Sequence, residues 1–284
     1  MRPGRDRWAR LLTESRNPRS RRLDALTTPE VVRLLLDEDR RALVAALRTR
    51  PAIARAAVAV AECPPTFGTS SRVIRAVMAG GRSSVFGSRE GAEDRDDHGR
   101  REGRKLRPGD VLVGISASSV TPFVQGALRA ARSRGARTVL LTCAPRPGLA
   151  RLADVVIAIP TGPEVLTGST RLKAGSATKA ALNAITTAAM VRLGKAYENL
   201  MVDLRPTSAK LQDRARRVVA AGGRVRIDEA GRLLARCAGE VKTAIVAARL
   251  QVSPAEARRR LRAAAGHVRR ALGSMGTQRI SDYS

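Results

Sequence analysis

The sequence has few aromatic residues, few histidines and few cysteines. Aromatic residues make up only 2% of its 284 residues, which leaves too few rings for the stacking platforms of single-stranded nucleic-acid binders. The two histidines argue against a histidine-rich metal centre and against a Ser-His triad. The cysteines lie far apart, at Cys63, Cys143 and Cys237, and therefore indicate neither a disulfide framework nor a CxxC site.

The sequence also lacks long apolar runs. None approaches the length of a membrane-spanning helix, and the charged N-terminal segment has no apolar core like that of a secretory signal. With 43% hydrophobic residues, the chain can still bury a sizeable core. We therefore expect a globular cytoplasmic protein without a membrane partner.

A formal net charge of +28 is the strongest compositional signal, and by itself it would indicate a nucleic-acid partner. Only six of the 53 basic residues are lysines, and the arginines are scattered over nearly every segment. Such a uniform excess is more typical of codon bias than of a binding stripe. Nucleic-acid binding therefore stays an alternative function rather than the leading one.

One stretch, Val111–Pro122, combines a predicted strand, a hydroxyl-rich loop and a predicted helix start. Its first five residues are apolar and mostly β-branched, as in a buried strand, while Thr121-Pro122 is a helix N-cap followed by a first-turn proline. A strand, a short loop and a helix N-terminus together direct backbone N–H groups toward one point. The loop adds the hydroxyls of Ser116, Ser118, Ser119 and Thr121. The stretch predicts a phosphate site, with an ordinary serine-rich connection as the alternative.

The remaining chain alternates between helical and strand patterns and then becomes helical. Buried-type strands are predicted at 73–78, 111–115, 138–142 and 155–159; helices are predicted from Thr27, at 40–47, 52–62, 122–134 and 172–193, and 91–105 is a surface helix or loop. This order predicts an α/β fold over residues 27–207, with helices on both faces of a parallel sheet. An arm is predicted at 1–26. A small helical appendage is predicted at 208–284, with a capping box at Ser253–Glu256.

A second polar loop, 162–173, precedes the long helix. In this loop, the hydroxyl of Ser169 and the cations Arg171 and Lys173 are candidates for contact with an anionic ligand. The alternative is helix capping by Ser169 or Thr170, with both cations exposed to solvent.

Five motifs in order along the chain resemble those of the N-acetylmuramic acid 6-phosphate etherases, a family with the sugar isomerase (SIS) fold. They are ECPPTFG at 62–68, EGAED at 90–94, ISASSVTPFV at 115–124, TGSTRLKAGSATK at 167–179 and NLMVD at 199–203. The similarity extends from about Leu12 to Leu272. It implies a SIS-type three-layer fold with a parallel sheet flanked by helices.

The resemblance implies a carbon–oxygen lyase that acts on a sugar phosphate without a cofactor. Such an etherase cleaves the D-lactyl ether of N-acetylmuramic acid 6-phosphate during cell-wall sugar recycling, by elimination and then hydration. One carboxylate removes the C2 proton, and another protonates the departing lactate oxygen. Matched motif by motif, Glu62 falls on the family's proton donor and Glu93 on its second catalytic glutamate. In the sugar-phosphate loop, Ser116, Ser118 and Thr121 match the family's Ser-x-Ser-x-x-Thr pattern.

The chain departs from the family pattern in two places. The etherases usually read Ser-Gly-Arg-Thr where this chain has Ser118-Ser119-Val120-Thr121, so a glycine and a cation are lost. The family's strand and Gly-Thr-Ser-Gly-Arg loop before Glu-Cys-Pro-Pro are also missing, and the alanine-rich segment 52–62 predicts one continuous helix instead. An active etherase and a catalytically impaired sugar-phosphate-binding protein of the same fold both remain open.

The resemblance also implies a homodimer. In the family, the glutamate motifs and the long helix lie at a two-fold interface, with sites built from both subunits. In this chain the helix at 172–193 is apolar on more than one face, which is unusual for a lone surface helix.

Overall fold

The computed structural model describes residues 12, 17–20, 26, 28–61, 75–81, 84, 87, 89–204 and 206–273. Within this part of the chain two compact units are present, one ending at Ala188 and the other beginning at Ala189. The sequence places the start of the helical appendage at 208 instead. No described helix is long and apolar enough to cross a membrane.

The first two α-helices of the described chain are α1 at Thr28–Arg48 and α2 at Arg50–Ala61, both in the first unit. The separate helices predicted from Thr27 and at 40–47 are one, because the charged residues between them include neither glycine nor proline. The continuous helix predicted at 52–62 is confirmed as far as Ala61. Glu62 lies outside the described residues.

A parallel sheet with three described strands forms the centre of the first unit. Its strands are β1 at Val111–Ile115, β2 at Arg137–Thr142 and β3 at Val155–Ala158, in the order β1-β2-β3. Val113 pairs with Val139, and Leu140 pairs with Val156. These three strands agree with the predicted ones to within a residue at each end.

The strand predicted at 73–78 is wrong for its described part. Arg75–Met78 has no regular secondary structure, and Val77 and Met78 are 43% and 53% exposed. A run of apolar residues forms a strand only where a neighbouring strand accepts its backbone bonds and side chains. These four residues pair with neither β1 nor β3. Residues 73 and 74 lie outside the described part.

One edge of β1 carries no described strand. Asp110 O accepts from Arg137 N, and Ser116 N donates to Leu141 O, so the even-numbered residues between them also face β2. Because successive residues in a strand point their backbone groups to opposite sides, those of Val111, Val113 and Ile115 face away from β2. The missing family strand would have been expected beside this sheet.

Helices cover both faces of the sheet, as predicted. On one face, α1, α2 and the long helix α5 at Lys173–Arg192 pack against Val139, Leu141 and Ile157. On the other face, helix α4 at Pro122–Ser133 packs against Leu140. Leu140, Leu141 and Ile157 are fully buried, and each such side chain contributes about 1.5–3 kcal/mol to folding.

A glycine-lined contact joins α4 to helix α3, Asp96–Gly103. A Cβ atom at Gly99 would collide with the carbonyl oxygen of Phe123, and one at Gly126 would collide with that of Asp96. The close approach lets Phe123 N donate to Glu93 O at 2.9 Å. The backbone of the EGAED motif is thereby tied to the first turn of α4.

The second unit is mostly helical, as predicted from 208 onward. The short antiparallel pair β4 (Ala196–Tyr197) and β5 (Leu200–Met201), which the sequence analysis missed, is followed by five helices in the residues that the structure describes. They are α6 at Ala209–Gly223, α7 at Ile227–Arg236, α8 at Val241–Leu250, α9 at Pro254–Ala263 and α10 at Val268–Ala271. Ser253 Oγ caps α9 by accepting from Glu256 N at 3.2 Å. The Glu256 carboxylate accepts from Arg260 instead of completing the capping box.

Candidate functional site

The loop between β1 and α4 is held by its own hydroxyl groups. Ser116 Oγ shares a hydrogen bond of 2.7 Å with Thr121 Oγ1 and accepts another of 3.0 Å from Ser119 N. Ser119 is fully buried and has a φ of 58°, a left-handed conformation that usually favours glycine. Its Oγ accepts from Leu149 N at 3.2 Å. The hydroxyls of Ser116 and Ser119 thus shape the loop.

Thr121 occupies the N-cap position of α4, and Pro122 opens the helix as predicted. The Thr121 hydroxyl, however, makes no capping bond, because it bonds to Ser116 across the base of the loop. The predicted N-cap position and helix start are therefore confirmed, although the Thr121 hydroxyl does not cap the helix.

Ser118 lines a cavity of about 480 Å³ at the carboxyl edge of the sheet. Its walls come from the segments that follow β1, β2 and β3, which is where ligands bind in open parallel sheets. The described lining residues are Leu12, Ser118, Val120, Cys143, Ala144, Pro145, Arg146, Gly148, Thr161, Gly162, Glu164 and Ala174.

Glu164 is a buried carboxylate in this lining, and the sequence analysis missed it. Its Oε2 accepts from Lys173 N at 3.2 Å, and its Oε1 accepts from Ala174 N at 3.0 Å. Glu164 therefore caps α5, a task the alternative interpretation of the loop gave to Ser169 or Thr170. Burial raises the pKa of Glu164 despite these two bonds, which lower it. Glu164 lies nine positions before the helix start, so no local capping pattern revealed it.

Lys173 is buried rather than exposed. Its ammonium group donates to Glu38 of α1, whose carboxylate also accepts from Asn17 Nδ2 at 2.9 Å and lies 3.3 Å from Arg19. Burial raises the pKa of Glu38, but the bonds from Lys173 and Asn17 outweigh it and hold that pKa below its ordinary value. The predicted cation at 173 is thus engaged in an ion pair between α1 and α5.

The other predicted residues that the structure describes lie outside the lining of this cavity. Arg171 is exposed, and Ser169 is half-buried with its backbone N donating to Leu166 O. Glu93 is exposed and is linked to the site through its backbone bond to Phe123. Among the described residues, no group of three His, Cys, Asp or Glu side chains could hold a metal ion.

Comparison with known proteins gives consistent matches. The SIS domain family matches residues 95–188, and the N-terminal SIS domain of glucokinase regulatory protein matches residues 54–132. Three relatives named N-acetylmuramic acid 6-phosphate etherase come from Rubrobacter xylanophilus, Salinibacter ruber and Geobacillus thermodenitrificans. They are 46%, 43% and 40% identical to this chain, covering 94%, 92% and 92% of it and 98%, 94% and 98% of their own lengths.

The alignment lengths show that part of each matched region has no counterpart in this chain. The Rubrobacter alignment spans 296 positions, whereas 94% of 284 residues is about 267, so about 29 positions carry no residue of this chain. The same arithmetic gives about 30 for the Salinibacter relative and about 29 for the Geobacillus relative. This shortfall agrees with the loss of one strand and one loop.

Proposed function

The chain belongs to the N-acetylmuramic acid 6-phosphate etherase family, and from that premise we propose that it cleaves the D-lactyl ether of N-acetylmuramic acid 6-phosphate. The products are N-acetylglucosamine 6-phosphate and D-lactate. The observation that carries the proposal is a match over more than nine-tenths of the chain to relatives that share this one name. A phosphorylated sugar as substrate fits the cytoplasmic location expected from the sequence.

The phosphate group would bind at the loop between β1 and α4. Ser118 faces the cavity without a hydrogen bond to another described residue, and the adjacent N-terminus of α4 favours negative charge. The bonds among Ser116, Ser119 and Thr121 hold the loop in shape before the ligand arrives. Such preorganisation lowers the entropy cost of binding.

The chemistry requires two carboxyl groups in different protonation states. Glu93 removes the C2 proton of the ring-opened sugar, and Glu62 protonates the lactate oxygen as the C3–O bond breaks. Water then adds at C3 of the unsaturated sugar. Because a free glutamate titrates near pH ~4.3, Glu62 needs burial or a neighbouring negative charge to stay protonated at neutral pH.

The second candidate is a catalytically impaired sugar-phosphate-binding protein. The sequence favours it, because it lacks the family's glycine-rich loop, and the roughly 29 alignment positions without a residue of this chain are consistent with that loss. The two candidates share the phosphate site and differ in turnover.

An assay of D-lactate separates these candidates. We expect purified protein to release D-lactate and N-acetylglucosamine 6-phosphate in equal amounts, with oxygen from labelled water incorporated at C3. Unphosphorylated N-acetylmuramic acid is the control, and it should react far more slowly. Tight binding of the sugar phosphate with no D-lactate released would establish the binding protein instead.

The chain should also form a homodimer. Val32, Leu36, Leu43 and Leu47 lie within one stripe of α1, and they are 50%, 66%, 44% and 65% exposed. An exposed apolar stripe of this length on a helix usually packs against another surface. Ala184, Thr187 and Ala188 of α5 form a second exposed face of small residues. A second copy of the chain could cover both faces.

Light scattering at micromolar concentration tests this prediction. The wild-type protein should have twice the monomer mass, and the double substitution Leu36→Glu and Leu47→Glu should give a monomer, because it buries two charges in the interface. Arg48→Ala, outside the stripe, is the matched control and should stay dimeric. A monomeric wild-type protein would contradict the prediction.

A further inference from the structure

We propose that Arg146 supplies the cation that binds the substrate's phosphate group in this chain. The inference rests on the proposed function for the identity of the ligand. It assigns a binding role to a residue outside every motif that resembles the family.

The positions expected to provide a cation do not provide one in the cavity. Val120 stands where the family usually has arginine, and Lys173 is buried against Glu38. Arg171 is exposed and does not line the cavity. Among the described lining residues, Arg146 alone carries a positive charge.

Hydrogen bonds fix the segment that carries Arg146 against the loop between β1 and α4. Ala117 O accepts from Cys143 N at 3.1 Å and from Thr142 Oγ1 at 3.2 Å, and Ser119 Oγ accepts from Leu149 N at 3.2 Å. These bonds lie on both sides of Arg146 along the chain. Arg146 is therefore presented beside the hydroxyl-rich loop.

The backbone around Arg146 is stiff, and no described carboxylate competes for its guanidinium group. Pro145 and Pro147 flank it, and each proline ring fixes one φ angle. Arg146 is exposed and makes no hydrogen bond or ion pair with any described residue. The one described carboxylate in the lining, Glu164, accepts two N–H bonds from the start of α5.

Arginine is suited to this role because its planar guanidinium group can donate two parallel bonds to phosphate oxygens. Without it, the cavity would offer the phosphate dianion the Ser118 hydroxyl, backbone N–H groups and a buried carboxylate. The loop after β1 lacks the family's positive charge, because Val120 stands where the family usually has arginine. Arg146, in the loop after β2, supplies a positive charge in its place.

Calorimetric binding of N-acetylglucosamine 6-phosphate and of inorganic phosphate tests the proposal without requiring turnover. We expect Arg146→Ala to weaken binding of both about 10- to 100-fold, the equivalent of one lost charge-assisted contact. Arg146→Lys should lose less affinity than Arg146→Ala, since lysine keeps the positive charge but cannot donate two parallel hydrogen bonds. Arg151→Ala removes an exposed arginine outside the cavity, and it should bind like the wild type. Adding Val120→Arg to Arg146→Ala should restore much of the affinity.

Kinetics give a second readout. Arg146→Ala should raise KM for N-acetylmuramic acid 6-phosphate with little change in kcat, because the phosphate lies away from the bonds that break. If the wild type binds sugar phosphate and Arg146→Ala binds it equally well, the assignment is overturned. It is also overturned if the wild type binds neither probe. If binding depends on Arg146 but no D-lactate is released, the assignment of Arg146 holds and only the proposed etherase activity is refuted.

Discussion

Replacing Glu93 by glutamine should lower the rate of D-lactate release by about 10²- to 10⁴-fold, the usual contribution of a general acid or base. The variant should also lose exchange of the C2 proton with solvent deuterium, because proton removal precedes cleavage. Glu62→Gln should lower lactate release as strongly but leave C2 exchange, since it removes only the proton for the leaving oxygen. Proton NMR in deuterated water measures the exchange.

Glu90→Gln is the matched control, because Glu90 is an exposed carboxylate in the same short motif as Glu93. It should keep both reactions. If the wild-type chain releases no lactate, the same substitutions belong in a chain that carries the family's missing strand and glycine-rich loop. Turnover by that restored chain with both Glu62 and Glu93 replaced would show that these two residues are not the acid and base.

Removing one side of the buried pair between Glu38 and Lys173 should destabilise the protein by about 3–5 kcal/mol. Glu38→Met should cost more than Lys173→Met, because Asn17, Arg19 and Arg41 still surround Glu38 when the lysine is gone. The double methionine variant should recover most of the loss, since neither charge is then left buried without its partner. Chemical denaturation followed by circular dichroism measures these differences.

Asp37→Asn, on the exposed side of α1, is the control, and it should change stability by less than about 1 kcal/mol. The pair also has a pH signature. Because the pKa of Glu38 is lower in the folded state than in the unfolded state, its stabilising effect is complete above the unfolded pKa and is lost as the pH falls through the folded pKa. The double methionine variant should lack this part of the acid destabilisation. If the wild type and the double methionine variant lost the same stability on acidification, the attribution of this effect to Glu38 would be contradicted.

The regular elements of the first unit could be predicted because their signals are local. Short β-branched runs marked β1 and β3, and Pro122 marked the start of α4. The strand predicted at 73–78 had a similar composition, but its described residues pair with no neighbour. Composition reports the tendency to form a strand, whereas pairing depends on the rest of the sheet.

The site was predicted less completely because its polar contacts join distant residues. Lys173 and Glu38 lie 135 positions apart, and charged residues are normally at the surface, so a buried pair had no sequence signature. Arg146 could not be predicted as a site residue for another reason. Arginines occur in nearly every segment of this chain, so the sequence does not distinguish this one from the others. Ser118 could be predicted because the strand, the hydroxyls and the helix start that surround it are contiguous in sequence.

The outer edge of β1 has a consequence for how concentrated solutions of this protein behave. No described strand pairs with the outward backbone groups of Val111, Val113 and Ile115, so within the described part of the chain they offer an uncharged template on which a strand from another molecule could add, the usual starting point of sheet aggregation. Proteins often block such edges with lysine or proline, and β1 contains neither. The net charge of +28 offers a different protection, since like-charged molecules repel before their edges meet. That protection weakens as salt screens the charge, so colloidal stability in this chain depends on ionic strength.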